Sequence, residues 1–348
     1  MSRSASFLIG LPGLAVVVAA TASGAASASP PQTPSPATST IRAPLAPIEA
    51  AFTVEERARF EELPVVPRAV PVLLFHQICE TACRPDEDYA MTRVELAKTL
   101  AMLDRAGYTT ISIEQYARFL RGFDEGLPKR PILITFDDSR ADAWIGAHEI
   151  LAQAQAHATM YVITARAEGE DPGYMRWSEI EAAAASGVWD MQLHAHAGHT
   201  TMQVGFTTDG APVMRHSYAW RLWSNDAFGE GETMQASGAL ETIDEWRHRI
   251  ASDLDHGDRL LTAHVPGYRS RTFAVPYSDY GQVSTNDRRI SPALRELFDE
   301  RFEVWFSQPG PNPEFTTPGL HREKSRFVIY RTTTAEEIYL WLAQHSAL

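Results

Sequence analysis

Three histidines stand within six residues in the segment HAHAGH, residues 194–199, directly after the apolar run WDMQL. Neutral imidazole is the commonest metal ligand among side chains, so the cluster is a candidate metal site. A loop that merely exposes histidines to solvent is the alternative. If two of the three bind a metal, their spacing permits His194 with His199 or His196 with His199, and Gly198 allows the turn that the first pair requires.

Two adjacent carboxylates, Asp137 and Asp138, follow the apolar run ILITF. Neighbouring residues of a regular strand point to opposite faces, so both can face one site only where the strand gives way to a loop. One carboxylate can then fix a cation while the other accepts a proton from water. A hydrolytic metal needs about three protein ligands and an open position, which one aspartate and two histidines supply. Capping of the next helix would explain one of the two aspartates but not the pair.

Alternating strand and helix patterns must position these groups. Strands are predicted at 71–75, 130–136, 158–164, 189–193 and 272–276, and helices at 92–107, 141–155, 178–187 and 241–254. Thr92 with Glu95 and Ser178 with Glu181 have the spacing of capping boxes. Repeated strand–helix units over ~280 residues predict a parallel α/β fold, a (β/α) barrel rather than an open sheet.

In such a barrel the residues that follow the strands share one rim, where the chemistry of these folds gathers. These residues are His76 after PVLLF, Asp137 and Asp138 after ILITF, His194 after WDMQL, and Tyr277 after TFAVP. Their convergence favours the metal site over the solvent-exposed loop.

The N-terminus has the pattern of an export signal. An apolar stretch at 7–20 precedes small residues that end in ASA at 26–28, so cleavage is predicted after Ala28. The stretch is too short and too interrupted by Pro12 and Gly13 for a comfortable membrane span, and an uncleaved anchor is the alternative. These features predict a secreted or periplasmic protein with a signal peptide at 1–28 and no membrane insertion after cleavage.

A proline-rich, polar segment at 29–66 is predicted to be a linker before one domain at 67–348. The net charge of −13 argues against a nucleic-acid partner, because nucleic acids recruit basic surfaces. The only cysteines, Cys79 and Cys83, are predicted to form a disulfide, since two thiolates so close in sequence usually need a second pair to hold a metal.

Four segments together resemble the polysaccharide deacetylases of carbohydrate esterase family 4. They are LITFDD (133–138), HAHAGH (194–199), FAVPYSDYG (273–281) and PVLLFHQI (71–78). The resemblance is greatest to the poly-β-1,6-N-acetyl-D-glucosamine N-deacetylase branch and covers most of residues 70–345. It implies a distorted (β/α) barrel of the polysaccharide deacetylase type.

The resemblance also implies roles for six residues. Asp137 matches the catalytic base, His76 the general acid, and Tyr277 the residue whose backbone N–H stabilises the oxyanion. Asp138, His194 and His199 match the ligands of one divalent metal ion, zinc, with cobalt, nickel and iron as alternatives. His196 then lies between the ligands without binding the metal, and the late histidine His321 is the competing general acid.

The function implied is an exported hydrolase that removes N-acetyl groups from an N-acetylglucosamine polysaccharide. The alternatives are deacylation of peptidoglycan, an O-acetylated glycan or a small amide, and a non-catalytic glycan-binding module. The module is favoured only by two departures from the family pattern: Ser139 replaces a common glycine, and Ala195 a usual threonine or serine. The predicted irregular insertion 200–239 contains Trp220 and Trp223, which either stack on sugars or fill an inserted lobe.

Overall fold

The computed structural model describes residues 52–169, 171–206, 208–222, 239–308, 310, 312–319 and 321–346. The predicted signal peptide, residues 1–28, lies outside this part of the chain. So do residues 29–51 of the predicted linker.

Strands and helices alternate along most of the described chain. The strands are β1 Val72–Phe75, β2 Gln77–Cys79, β3 Ala90–Thr92, β4 Thr109–Thr110, β5 Pro131–Phe136, β6 Ala158–Val162, β7 Trp189–Leu193, β8 Thr201–Phe206, β9 Pro212–His216, β10 Thr272–Ala274, β11 Val304–Ser307, β12 Glu323–Ser325 and β13 Phe327–Val328. The helices are α1 Val54–Arg59, α2 Arg93–Arg105, α3 Ile113–Leu120, α4 Ala141–Gln153, α5 Thr164–Ala167, α6 Trp177–Ala185, α7 Ile243–His264, α8 Ile290–Arg301 and α9 Ala335–Ser346.

Eight parallel strands form a nearly closed barrel. Their order is β12-β11-β10-β7-β6-β5-β1-β13, and the short β4 pairs with β5 beside this path. The two end strands, β12 and β13, are separated along the chain only by Arg326. Every side chain of β5 and β6 is buried, as expected for parallel strands covered on both faces. The predicted (β/α) barrel is confirmed.

The predicted elements are present, with differences at their ends. The strand predicted at 272–276 ends at Ala274 and gives way to a 3₁₀ turn at Pro276–Ser278. The helix predicted to end at residue 254 continues to His264, with Gly257 inside it. A Cβ at Gly257 would lie 2.5 Å from Leu193 Cδ1, so glycine allows α7 to pack closely on β7.

The two predicted capping boxes form differently. Thr92 caps α2, but the Glu95 carboxylate accepts the backbone N–H of Ala335 instead of completing the box. Helix α6 begins one residue earlier than predicted, and Glu179 rather than Glu181 caps its first turn. Glu181 contacts His264. The side chains that the local spacing assigned to helix caps, Glu95 and Glu181, therefore make tertiary contacts instead.

The last part of the predicted linker is packed against the domain. Thr53 and Glu56 form a capping box at the start of α1, and the buried ring of Phe60 lies 5.2 Å from that of Tyr339 on α9. Residues 52–66 therefore pack with the domain, through the buried side chains of Phe52, Phe60 and Leu63. The linker prediction was too long at this end.

The predicted irregular insertion begins with regular structure. Strands β8 and β9 pair antiparallel as a hairpin, and β9 ends at His216. Residues 223–238, including Trp223, lie outside the described residues. The indole N–H of Trp220 donates to the carbonyl of Ser284, so this ring is held against the domain.

The predicted disulfide between Cys79 and Cys83 is confirmed, with a Cα–Cα distance of 5.3 Å. Glu87 lies close to both sulfurs, but the disulfide leaves no thiolate there for a metal. None of the helices in the described part of the chain is both long enough and apolar enough to cross a membrane.

Candidate metal and catalytic site

The two aspartates after β5 reach the same cavity because the strand ends in a left-handed turn. Asp138 has φ 74° and Ser139 has φ 49°. This conformation breaks the alternation of the strand, so Asp137 and Asp138 both line a cavity of about 540 Å³ at the rim of the barrel. The predicted transition from strand to loop occurs at the expected residues.

Asp138, His194 and His199 bring three ligand atoms within 4.8 Å of one another. Asp138 Oδ1 lies 3.3 Å from Nε2 of each histidine and is buried without a hydrogen-bond partner. Nδ1 of His194 lies 2.7 Å from the carbonyl of Ala274, an acceptor that places the ring proton on Nδ1 and leaves the Nε2 lone pair facing Asp138. These residues fit a divalent metal ion.

The charge states of Asp138 and His199 agree with that fit. Burial, together with the charge of His194, lowers the pKa of His199 to about 4, so its imidazole is neutral at neutral pH. Burial alone would raise the pKa of Asp138, but contact with His194 and the charges of His76 and His199 outweigh it and lower that pKa. An ionised carboxylate and a neutral imidazole are the forms that bind metals. Burial alone would lower the pKa of His194, but the charges of Asp137 and Asp138 outweigh it and raise that pKa, so an ion would have to displace a proton there.

Asp137 is held by an arginine that the sequence did not reveal. Both of its oxygens accept hydrogen bonds of 2.7 Å from the fully buried guanidinium of Arg326, at the closure of the barrel. Burial alone would raise the pKa of Asp137, but the charge of Arg326 outweighs it and lowers that pKa. Asp137 Oδ2 lies 4.0 Å from His194 Nε2, so this ionised carboxylate adjoins the trio.

His76 follows β1 and lines the same cavity. Its Nδ1 is buried without a hydrogen-bond partner, and its ring lies 5.2 Å from that of Tyr89. Burial is the main cause that lowers the pKa of His76. The ring therefore lines the same cavity as the two aspartates, with one ring nitrogen unpartnered.

Tyr277 also lines the cavity, with φ 54° in the 3₁₀ turn. Its ring lies between those of His199 and His216, each with a centroid distance of 4.1 Å, and is nearly parallel to the latter at 6°. His216 Nδ1 lies 2.7 Å from the buried carboxylate of Asp279. The hairpin of the insertion thus contributes to the wall of the site.

Three residues weighed from the sequence lie elsewhere. His196 Nδ1 lies 3.0 Å from Thr164 Oγ1, and its ring stacks on His256 at 4.1 Å. His321 is exposed, and neither it nor Trp220 lines the cavity that contains His76. Of the two histidine pairs that the spacing permits, the geometry brings together His194 and His199.

Sequence reasoning missed Arg326, His216 and Asp279. Asp279 follows the proline–tyrosine motif by two residues, a position that could have marked it. Arg326 and His216 carry no such signal, because one stands between two short strands and the other inside the insertion.

Comparisons with known proteins agree with this architecture. The family model described as polysaccharide deacetylase matches residues 124–290. No curated protein matches the chain. A de-N-acetylase from Aggregatibacter actinomycetemcomitans has a similar structure, with TM-score 0.60 and 16% identity over 78% of this chain and 99% of that one.

Two further solved structures share the fold. IcaB from Ammonifex degensii has TM-score 0.54 and 20% identity over 79% of this chain and 97% of that chain. The BpsB deacetylase domain from Bordetella bronchiseptica has TM-score 0.56 and 22% identity over 76% of this chain and 97% of that one. With the barrel, the family match confirms the resemblance inferred from the motifs: residues 124–290 match the polysaccharide deacetylase family, and the barrel has the fold of these deacetylases.

Proposed function

We propose that this chain is an exported, metal-dependent hydrolase that removes N-acetyl groups from a polysaccharide containing N-acetylglucosamine. The observation that carries the proposal is the convergence of Asp138, His194 and His199 beside the ionised Asp137 in a polysaccharide deacetylase domain. The fold shared with a de-N-acetylase and with a BpsB deacetylase domain supports the same reaction.

Asp138 Oδ1 and the Nε2 atoms of His194 and His199 would hold the ion. One carboxylate and two imidazoles suit zinc, and also cobalt, nickel or iron. When bound, such an ion supplies Lewis acidity toward the acetamide carbonyl and toward water. His196 faces Thr164 and His256 and takes no part as a ligand.

Asp137 is the proposed general base. The paired hydrogen bonds from Arg326 hold both oxygens of its carboxylate in place and keep it ionised, so it accepts a proton from the attacking water without reorienting. The backbone N–H of Tyr277 is the proposed donor to the oxyanion that forms on the acetamide carbonyl.

His76 is the proposed general acid. An amine leaves an amide poorly unless it is protonated, and His76 lies in the same cavity as Asp137 with one ring nitrogen unpartnered. His76→Ala is expected to reduce deacetylation by about 10²–10⁴-fold, whereas His321→Ala leaves it near normal. The reverse result would assign the acid to His321.

The test of the function is acetate release from a panel of glycans by the full chain. We expect release from β-1,6-linked N-acetylglucosamine polymer, its loss on chelation, and its recovery when zinc is added back. Asp137→Asn is the matched variant, which should retain the metal and lose the activity. Release only from peptidoglycan, an O-acetylated glycan or a small amide would assign that compound as the substrate instead. Glycan binding without any release of acetate would favour the non-catalytic module.

Export remains part of the proposal. It rests on the signal-like pattern of residues 1–28 and on a disulfide that is typical of oxidising compartments. Mass spectrometry of protein recovered from outside the cytoplasm should show an N-terminus after Ala28. A mature chain that begins at Met1 would contradict it.

A further inference from the structure

Two exposed tyrosines stand side by side at the edge of the catalytic cavity. Tyr89 and Tyr330 are 49% and 42% exposed, and their ring centroids are 5.4 Å apart at an interplanar angle of 38°. Tyr89 also lies 5.2 Å from the ring of His76. The aromatic surface therefore extends outward from the proposed general acid.

These tyrosines also line a second cavity, of about 260 Å³. Its walls are Asp88, Tyr89, Tyr330, Arg331 and Thr332. Asp88 and Tyr89 line the catalytic cavity as well, so the two spaces adjoin. A ligand long enough to extend from the first cavity would enter the second.

Backbone hydrogen bonds hold both tyrosines in place without a ligand. The carbonyl of Tyr89 accepts from Gln77 N at 3.2 Å, and Arg331 N donates to the carbonyl of Asp88 at 2.8 Å. Tyr330 N donates to Thr333 Oγ1 at 2.9 Å. Because the segments that carry Tyr89 and Tyr330 are hydrogen-bonded to each other, a ligand that packs on these rings would have to order little of the backbone.

We propose that Tyr89 and Tyr330 form a subsite for a second sugar ring of the same polysaccharide chain, adjacent to the ring whose acetamide is hydrolysed. The inference rests on the proposed function and deepens it, because it selects a polymer over a small amide. The C–H face of a pyranose is apolar and packs on the electron-rich face of an aromatic ring. Asp88, Arg331 and Thr332 offer polar groups to the hydroxyls at its edge.

The test measures how kcat/KM depends on substrate length, with β-1,6-linked N-acetylglucosamine oligomers of one to five units. In Tyr330→Ala the ratio of the value for the pentamer to that for the monomer is expected to fall about tenfold, mainly through KM, since one stacking contact is lost. Tyr330→Phe keeps the ring and should preserve the ratio. Phe123→Ala, which removes a 60% exposed ring that lines neither cavity, is the control.

An unchanged ratio in folded Tyr330→Ala would overturn the subsite and leave the proposed function intact. Absence of acetate release from every oligomer by the unmodified protein would instead contradict the β-1,6-linked substrate expected from the proposed function. Calorimetric titration of the pentamer then tests the subsite separately. Binding weakened about tenfold by Tyr330→Ala but not by Phe123→Ala supports the subsite, and no binding or equal binding contradicts it.

Discussion

The two walls of the catalytic cavity are built in different ways. The inner wall, His76, Asp137 and His194, comes from the ends of barrel strands, and behind it the buried Arg326 forms an ion pair with Asp137. The outer wall, His216 and Tyr277, comes from the hairpin and the 3₁₀ turn and is joined by ring stacking. The position of the charged groups therefore depends on closure of the barrel, whereas the outer wall is formed by segments that pack onto the closed barrel.

Arg326→Ala should cause the largest loss of stability. It leaves the buried carboxylate of Asp137 without its counter-charge, and breaking one partner of a buried pair costs about 3–5 kcal/mol. Urea unfolding measures the change. Arg247→Ala, which removes a surface ion pair with Glu296, is the control and should cost less than about 1 kcal/mol. Equal losses in the two variants would mean that the inner wall does not depend on this pair.

The lowered pKa of His76 makes the stability of the protein depend on pH. Burial lowers its pKa in the folded protein below the value of about 6.5 expected for an unfolded chain. Between these two pKa values the unfolded state binds more protons, so stability falls as the pH drops below about 6.5, by at most about 1.4 kcal/mol per pH unit for this group.

Urea unfolding of chelator-treated protein between pH 7.5 and 5.5 measures that slope. His76→Gln, which cannot titrate there, should show a shallower slope. The slope that remains in the variant reflects His199, whose pKa burial lowers in the same direction, and His194, whose pKa the charges of Asp137 and Asp138 raise in the opposite direction. An identical slope in the variant would mean that His76 is not shielded from water.

The outer wall should be less costly to disrupt. His216→Ala removes the ring stacked on Tyr277, for an expected loss of about 1 kcal/mol. Asp279 still accepts the backbone N–H of Gly281, so its buried carboxylate is not left without a partner. His216→Phe should recover most of the loss in urea unfolding. A loss as large as that of Arg326→Ala would remove the distinction between the walls.

The smallest effect is expected at Ser139, in the strained turn that follows the two aspartates. Its φ of 49° is in the left-handed region, and its buried hydroxyl has no hydrogen-bond partner. Ser139→Gly should stabilise the protein by about 0.5–1 kcal/mol, because glycine adopts this conformation freely at a cost in unfolded-state entropy. Ser139→Ala removes the hydroxyl but keeps the strained φ, so it separates the two causes. Destabilisation in Ser139→Gly would show that neither the strained φ nor the unpartnered hydroxyl of Ser139 lowers the stability of the protein.

The sequence predicted the residues at the strand ends and in the histidine loop, but not the contacts that hold them in place. His76, Asp137 and His194 follow apolar runs, and the carboxyl ends of parallel strands meet at one rim, so local patterns sufficed. Arg326 is 189 residues from Asp137, and their pairing depends on closure of the whole barrel. His216 reaches Tyr277 only through a hairpin whose position no short-range pattern specifies. Contacts of this kind require the assembled fold.

The most direct test of the account is the metal content of variants within HAHAGH. We expect about one divalent ion per chain in the unmodified protein and none in His199→Ala. His196→Ala should keep near-normal stoichiometry, because the ring of His196 faces Thr164 and His256. Elemental analysis of purified, zinc-loaded protein gives the answer. Full occupancy in His199→Ala together with an empty His196→Ala would contradict the site proposed here.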